Sequence, residues 1–210
     1  VGVPSIIMQS ISSVMTYFLN LILVGFTATA VTVLGVYFKL QSFIFMPIFG
    51  LNNGMIPVIA FNYGARNKKR LNAALRQGCV IALVIMTAGM LAFLLLPKYL
   101  LGIFNASPEL LAIGVPALRI ICTCFLFAAL GIVSSTLFQA TGRGTYSLVV
   151  SLMRQLVVLV PAAWLLAQTI GQVSAVWWAF PIAETFSLLV SIIFYIRLNK
   201  KEISKMDIIE

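Results

Sequence analysis

The sequence has no histidine, and its 210 residues hold only three cysteines and five carboxylate side chains, the latter against 14 lysines and arginines. Without histidine there is no imidazole base, no His metal ligand and no Ser-His or Cys-His nucleophile pair, which removes most intramembrane hydrolytic chemistry. Charged residues make up only 9% of the chain, against about 25% in soluble domains, too few to cover a water-facing surface. What is abundant is apolar: 61% of residues are hydrophobic and the mean hydropathy is +1.08. Such a chain belongs in a membrane. Cys79, Cys122 and Cys124 all lie within apolar runs, and the pair two residues apart points to different sides of a helix, so all three read as packing residues. The formal charge of +9 would suggest a nucleic-acid partner in a soluble protein. Here the basic residues sit mostly at the ends of hydrophobic runs, the pattern of membrane orientation, and no nucleic-acid partner is expected.

Residues 1–38, 40–65, 77–97, 120–142 and 155–183 carry no charged side chain. A helix needs about 20 apolar residues to cross roughly 30 Å of hydrocarbon, so the first run is too long for one span and too short for two. It breaks near Gly25-Phe26-Thr27-Ala28-Thr29, where glycine and polar β-branched residues interrupt it. The expected fold class is an all-α membrane protein, a single unit over 1–210 with transmembrane spans near 4–24, 31–61, 72–96, 108–140, 144–168 and 173–197 and a basic tail over 198–210. Both ends then lie on one side. Arg66, Lys68, Lys69, Arg70 and Arg76, with Arg143 and the tail residues Arg197, Lys200, Lys201 and Lys205, put the loops of that side in the cytoplasm by the positive-inside rule, with Lys98 alone across the membrane. A multi-pass protein of the cell (inner) membrane is expected. The segment from Lys98 to Ala106 is expected to lie along the interface, and Ser107-Pro108-Glu109 reads as a helix start. Val1 leads straight into a span, with no initiator Met and no charged leader region, so the chain reads as a piece of something larger.

Lys39, Arg119, Arg154 and Glu184 fall deep within these spans, and counting about 1.5 Å per residue places all four near the bilayer midplane. Four charges facing lipid would cost on the order of 10–14 kcal/mol, as much as a domain's whole stability, so they must face one another or water. Two readings stand for each: a helix-tying salt bridge or a transport group. Three positive charges against one negative leave a deficit, which a companion half, a bound anionic group or a wet cavity would complete. Glu184 is the one carboxylate at that depth and the candidate site for a coupling cation or proton. Its helix face continues through Trp177, Phe180, Ser187 and Ser191, as a cavity wall would.

The second span is the densest in information. Pro47 and Pro57 each free a carbonyl and permit a bend, while Gly50 and Gly54 would let a neighbouring backbone approach. Lys39, Phe43, Met46, Gly50 and Asn53 share one helix face. Pro161 and Pro181 are expected to bend the fifth and sixth spans, the latter one turn before Glu184. Tyr17, Tyr37, Phe43, Phe45, Met46, Phe49, Phe138, Trp164 and Trp177 lie on spans and suit small lipophilic or cationic substrates through dispersion and cation–π contacts. Tyr37, Gln41, Met46, Asn52, Asn53 and Gln139 complete the candidate substrate path with Lys39, Arg119 and Arg154. A membrane enzyme would need a nucleophile, base and oxyanion donors converging. With no His and one buried carboxylate, no enzyme, cofactor or metal site is expected.

The stretch KLQSFIFMPIFGLNNGMIPVIAFNYGARNKKR (39–70) resembles the eighth helix and following loop of the multidrug and toxic compound extrusion (MATE) transporters. FNASPELLAIGVPALRI (104–120) and FQATGRGTYSLVVSLMRQLVVLVP (138–161) resemble that family's tenth and eleventh helices. The resemblance covers essentially the whole chain and implies the C-terminal six-helix lobe of a twelve-helix carrier. It further implies a missing N-terminal lobe and export of drugs or organic cations in exchange for Na⁺ or H⁺ by alternating access. Two departures matter: residues 4–24 hold neither Asp nor Glu, and neither does the run from Arg119 to Gln139. Coupling then rests on Glu184 or on the absent half. A flippase for lipid-linked saccharides, from the same superfamily, is the alternative that Lys39, Arg119 and Arg154 keep open.

Overall fold

A computed structural model describes residues 2–206, with side chains from Ile6 onward. Val1 and the last four residues of the basic tail, 207–210, lie outside the described residues. The first helix, α1, covers Gly2–Val24 and ends at a turn over Gly25 and Phe26, after which Thr27 caps α2 (Ala28–Gly64) by accepting a hydrogen bond from the Ala30 amide at 3.0 Å. Asn67 caps α3 (Lys68–Leu95) in the same way. A short α4 (Pro97–Gly102) follows, and Ser107 then accepts from the Leu110 amide with Pro108 in the first turn of α5 (Pro108–Ile121), the helix start that the local sequence calls for. A 3₁₀ turn at Cys122–Cys124 joins α5 to α6 (Phe125–Ala140). Next come α7 (Gly144–Leu152), a π-helical stretch at Met153–Leu159, α8 (Val160–Ile170), a short α9 (Val173–Val176) and α10 (Ala179–Lys201). No strand occurs among the described residues, and six helical runs are long and apolar enough to cross a membrane: Ile6–Val24, Ala28–Gly64, Lys68–Leu95, Pro108–Ala140, Gly144–Ile170 and Val173–Lys205. The chain is a multi-pass membrane protein.

The prolines act differently from one another. Helix α2 continues unbroken through Pro47 and Pro57. Pro181 bends nothing, because it stands in the first turn of α10, where its missing N–H costs no hydrogen bond. The break falls instead at Trp177 and Trp178, between α9 and α10. Pro161 lies in the first turn of α8, and its ring would crowd the carbonyl four residues back. The preceding turn widens into π geometry over Met153–Leu159, which relieves that conflict.

Helices α2, α3 and α6 pack together, as do α1 with α7 and α10 with α6 and the π stretch. Close approach depends on glycine, but not on Gly50 and Gly54, which are exposed and have nothing within 4 Å of where a Cβ would stand. The tight contacts are at Gly78, against Met55, and at Gly89, where a Cβ would stand 2.5 Å from Ile44 Cγ2. Aromatic rings bridge the helices: Tyr37 meets Phe93 and Phe180, and Phe125 meets Phe45 and Phe93, with centroids 5.3–6.4 Å apart.

The three basic segments gather at one end of the bundle. Tyr63 of α2 donates to the Glu202 carboxylate, which also pairs with Arg143 of the α6–α7 turn. Ile203 and Met206 are buried there, so the end of α10 is tied down rather than loose. The opposite end carries α4, Lys98 and the Ile103–Asn105 turn.

Candidate functional site

A cleft opens between α1, α2, α6, the π stretch and α10. Its two parts, of about 320 and 440 Å³, share Ser12, Phe49, Ala128, Arg154, Gln155 and Glu184 as common wall. The part farther from the basic end is aromatic, with Tyr37, Phe38, Phe45, Phe125 and Phe180 beside Thr16 and Gln41. The part nearer the basic end is lined with amides and hydroxyls, including Gln9, Asn52, Asn53, Ser135, Thr136, Gln139 and Ser187.

At the junction Arg154 Nη1 donates to Glu184 Oε1 at 2.8 Å. The two side chains are 31% and 16% exposed, so the pair is partly desolvated yet reachable from the cleft. One hydrogen bond uses one of five guanidinium donors. Next to Arg154 on the π stretch, Gln155 is 5% exposed; its Oε1 accepts from Ser12 Oγ of α1 and its Nε2 donates to Ser151 Oγ, each at 2.8 Å. On the facing wall Asn52 Oδ1 accepts from Thr136 Oγ1 at 2.8 Å, linking α2 to α6. Gln139 Nε2 donates to Ser135 Oγ at 3.3 Å. These links satisfy groups that would otherwise be costly at membrane depth and fix the walls against one another.

The sequence-derived candidates divide into three groups. Tyr37, Gln41, Asn52, Asn53, Gln139, Arg154 and Glu184 all line the cleft. Lys39 and Met46 line a second groove beside the cleft on α2, and Arg119 is exposed on α5, outside the residues that line the cleft. The four charges expected at one depth therefore do not converge, and among the described residues the cleft is lined by one cation and one anion. The reason for Lys39 is helix length. At 1.5 Å per residue the 37 residues of α2 extend about 55 Å, well beyond the hydrocarbon core. Lys39 accordingly lies level with Phe104, in the segment that links α4 to α5 at the end opposite the basic loops. On the Glu184 face, Phe180 and Ser187 do line the cleft, whereas Trp177, at 1% exposure, and Ser191 are buried away from it.

Sequence reasoning missed Ser12, Ser135, Ser147, Ser151 and Gln155. A signal was present in Ser147, Ser151 and Gln155, which repeat at every fourth position and so share a helix face. Among the described residues no group of three or more His, Cys, Asp or Glu could hold a metal. The free cysteines Cys122 and Cys124 instead donate their thiols to the carbonyls of Arg119 and Ile121.

The sequence model of the family described as MatE matches residues 4–165. The multidrug export protein MepA of Staphylococcus haemolyticus (strain JCSC1435) is 27% identical over 100% of this chain, which covers 46% of that protein. The chain thus spans about half the length of the curated relatives it matches. Among solved structures, an inward-facing multidrug resistance MATE family transporter of the MOP superfamily is 25% identical, with a TM-score of 0.85 over 99% of this chain and 48% of its own. The outward-facing form of a multidrug resistance MATE family transporter of that superfamily gives a TM-score of 0.89 at 24% identity, over 98% of this chain and 46% of its own.

Proposed function

From the premise that the chain belongs to the MatE family, we propose that it is the C-terminal six-helix half of a secondary active multidrug exporter, working by alternating access against an N-terminal half of matching size. Its substrates are small lipophilic or cationic compounds, held by the aromatic part of the cleft. The observation that carries this reading is the Arg154–Glu184 pair, one reachable ion pair in the wall of an otherwise uncharged aromatic and amide cleft. A coupling Na⁺ or H⁺ competes with Arg154 for Glu184, and release of the guanidinium changes the charge that the substrate meets. Exchange of that kind is transport and not enzymatic catalysis.

The two TM-scores support alternating access, since one lobe shape fits both an inward-facing and an outward-facing relative. The basic end faces the cytoplasm by the positive-inside rule, with both ends of this segment there and the protein in the cell membrane. Flipping of lipid-linked saccharides draws no support from the cleft: an anionic headgroup needs spare positive charge, and here the single arginine is already paired. The test is ethidium efflux driven by an imposed Na⁺ or pH gradient in vesicles holding the intact transporter. Glu184→Gln is expected to abolish gradient-driven efflux while ethidium binding persists; unchanged driven efflux would reject the coupling role.

A further inference from the structure

On the flank of α2 next to the cleft, with Ser42 common to both walls, lies a groove of about 750 Å³, walled by Lys39, Leu40, Phe43 and Met46 on one side and Ile103 and Phe104 on the other. Phe43 and Met46 are 72% and 70% exposed. Lys39 is the one charged group in the groove, and its Nζ stands 5.9 Å from the Phe104 ring centroid. Among the described residues it makes no salt bridge. Ser42, the other polar residue of the wall, has its hydroxyl satisfied by the Phe38 carbonyl at 2.8 Å.

We infer that this groove is a binding site for an anionic phospholipid, with the phosphate at Lys39 and one acyl chain laid along Phe43 and Met46. Three observations carry it. The first is level: Lys39 sits beside Phe104 in the connection at one end of the bundle, where headgroups lie. The second is direction: α2 runs from that end toward the basic end, so the seven steps from Lys39 to Met46 descend about 10 Å into the hydrocarbon, the path an acyl chain takes from its own headgroup. The third is charge complementarity. Lys39 is exposed, and its ammonium, over the Phe104 ring and without a carboxylate partner among the described residues, is free to meet an anion at the rim of an apolar wall. A zwitterionic lipid carries a compensating cation into the same place and gains less.

The test uses the intact protein, as its gene encodes it, offered equal amounts of phosphatidylglycerol and phosphatidylcholine and read by native mass spectrometry. Phosphatidylglycerol is expected to be retained in preference. Lys39→Gln is expected to lower that retention about five-fold; Lys39→Arg keeps it, and Lys98→Gln, at the same end but outside the groove, leaves it unchanged. A Phe43→Trp variant in vesicles is expected to be quenched more by brominated phosphatidylglycerol than by brominated phosphatidylcholine. Equal retention of the two lipids, or equal phosphatidylglycerol retention with and without Lys39, overturns the inference. Quenching of the Phe43→Trp indole by neither lipid also overturns it, because protein then covers the groove.

Discussion

Removing both partners of the Arg154–Glu184 pair should destabilise the protein by less than the sum of the two single removals. Breaking a fully buried ion pair costs about 3–5 kcal/mol, because the remaining charge is left without compensation. An exposed pair is worth about 0–1 kcal/mol. With side chains 31% and 16% exposed, this pair stands between those limits, and Arg154→Gln or Glu184→Gln should each cost about 2 kcal/mol. The double variant leaves no orphan charge, so its cost should fall short of the summed single costs by about 1–2 kcal/mol. The assay is equilibrium unfolding of the purified intact protein in mixed micelles of increasing SDS fraction, following tryptophan fluorescence, with all four proteins measured in parallel. The charge reversal Arg154→Glu with Glu184→Arg adds a check, since it restores the pair with opposite polarity and should regain part of the loss. Single costs below about 0.5 kcal/mol, or a double cost equal to the sum, would refute the claim that the two groups depend on each other.

Two further outcomes follow from packing. Gly89→Ala sets a methyl group against Ile44, a branched side chain with little freedom to move, and should cost about 1–3 kcal/mol in the same unfolding assay, with Ile44→Ala in the same chain recovering most of it; Gly50→Ala, which meets nothing in this lobe, serves as the control. Glu202→Gln removes the anion shared by Tyr63 and Arg143 and should speed amide exchange over residues 203–206 measured by mass spectrometry, whereas unchanged exchange would mean that burial of Ile203 and Met206 alone holds the segment.

Much of the architecture is legible in the sequence because the signals that set it are local. Hydropathy marks the six spans, Ser107-Pro108 and Thr27 mark helix starts, and the charge-free runs show where polar groups are worth explaining. Glu184 stands out because a carboxylate among apolar neighbours is rare, and its partner turns out to be Arg154. Properties set by a helix's neighbours are not legible in this way. The depth of Lys39 depends on where α2 ends relative to the rest of the bundle, which residue counting inside one span does not reveal. Gly50 and Gly54 match the Gly-xxx-Gly packing pattern but lie on an uncovered face, while Gly78 and Gly89, which belong to no Gly-xxx-Gly pair, are the ones in tight contact. The π stretch arises from the fit of the Pro161 ring against the turn before it, and the proline by itself signals a bend without saying that the turn widens.

That stretch bears on how Arg154 is mounted. A π turn holds a longer arc of chain per hydrogen bond than an α turn, so Met153–Leu159 stores slack inside a helix that both of its neighbours treat as continuous. Letting one residue of that slack pass toward either end would swivel the guanidinium by about 100° around the helix axis while α8 stayed in place. Among the described residues the one cation lining the cleft is thus mounted where a turn would need only that hydrogen bonds slip by one position, with no helix lifted out of its packing.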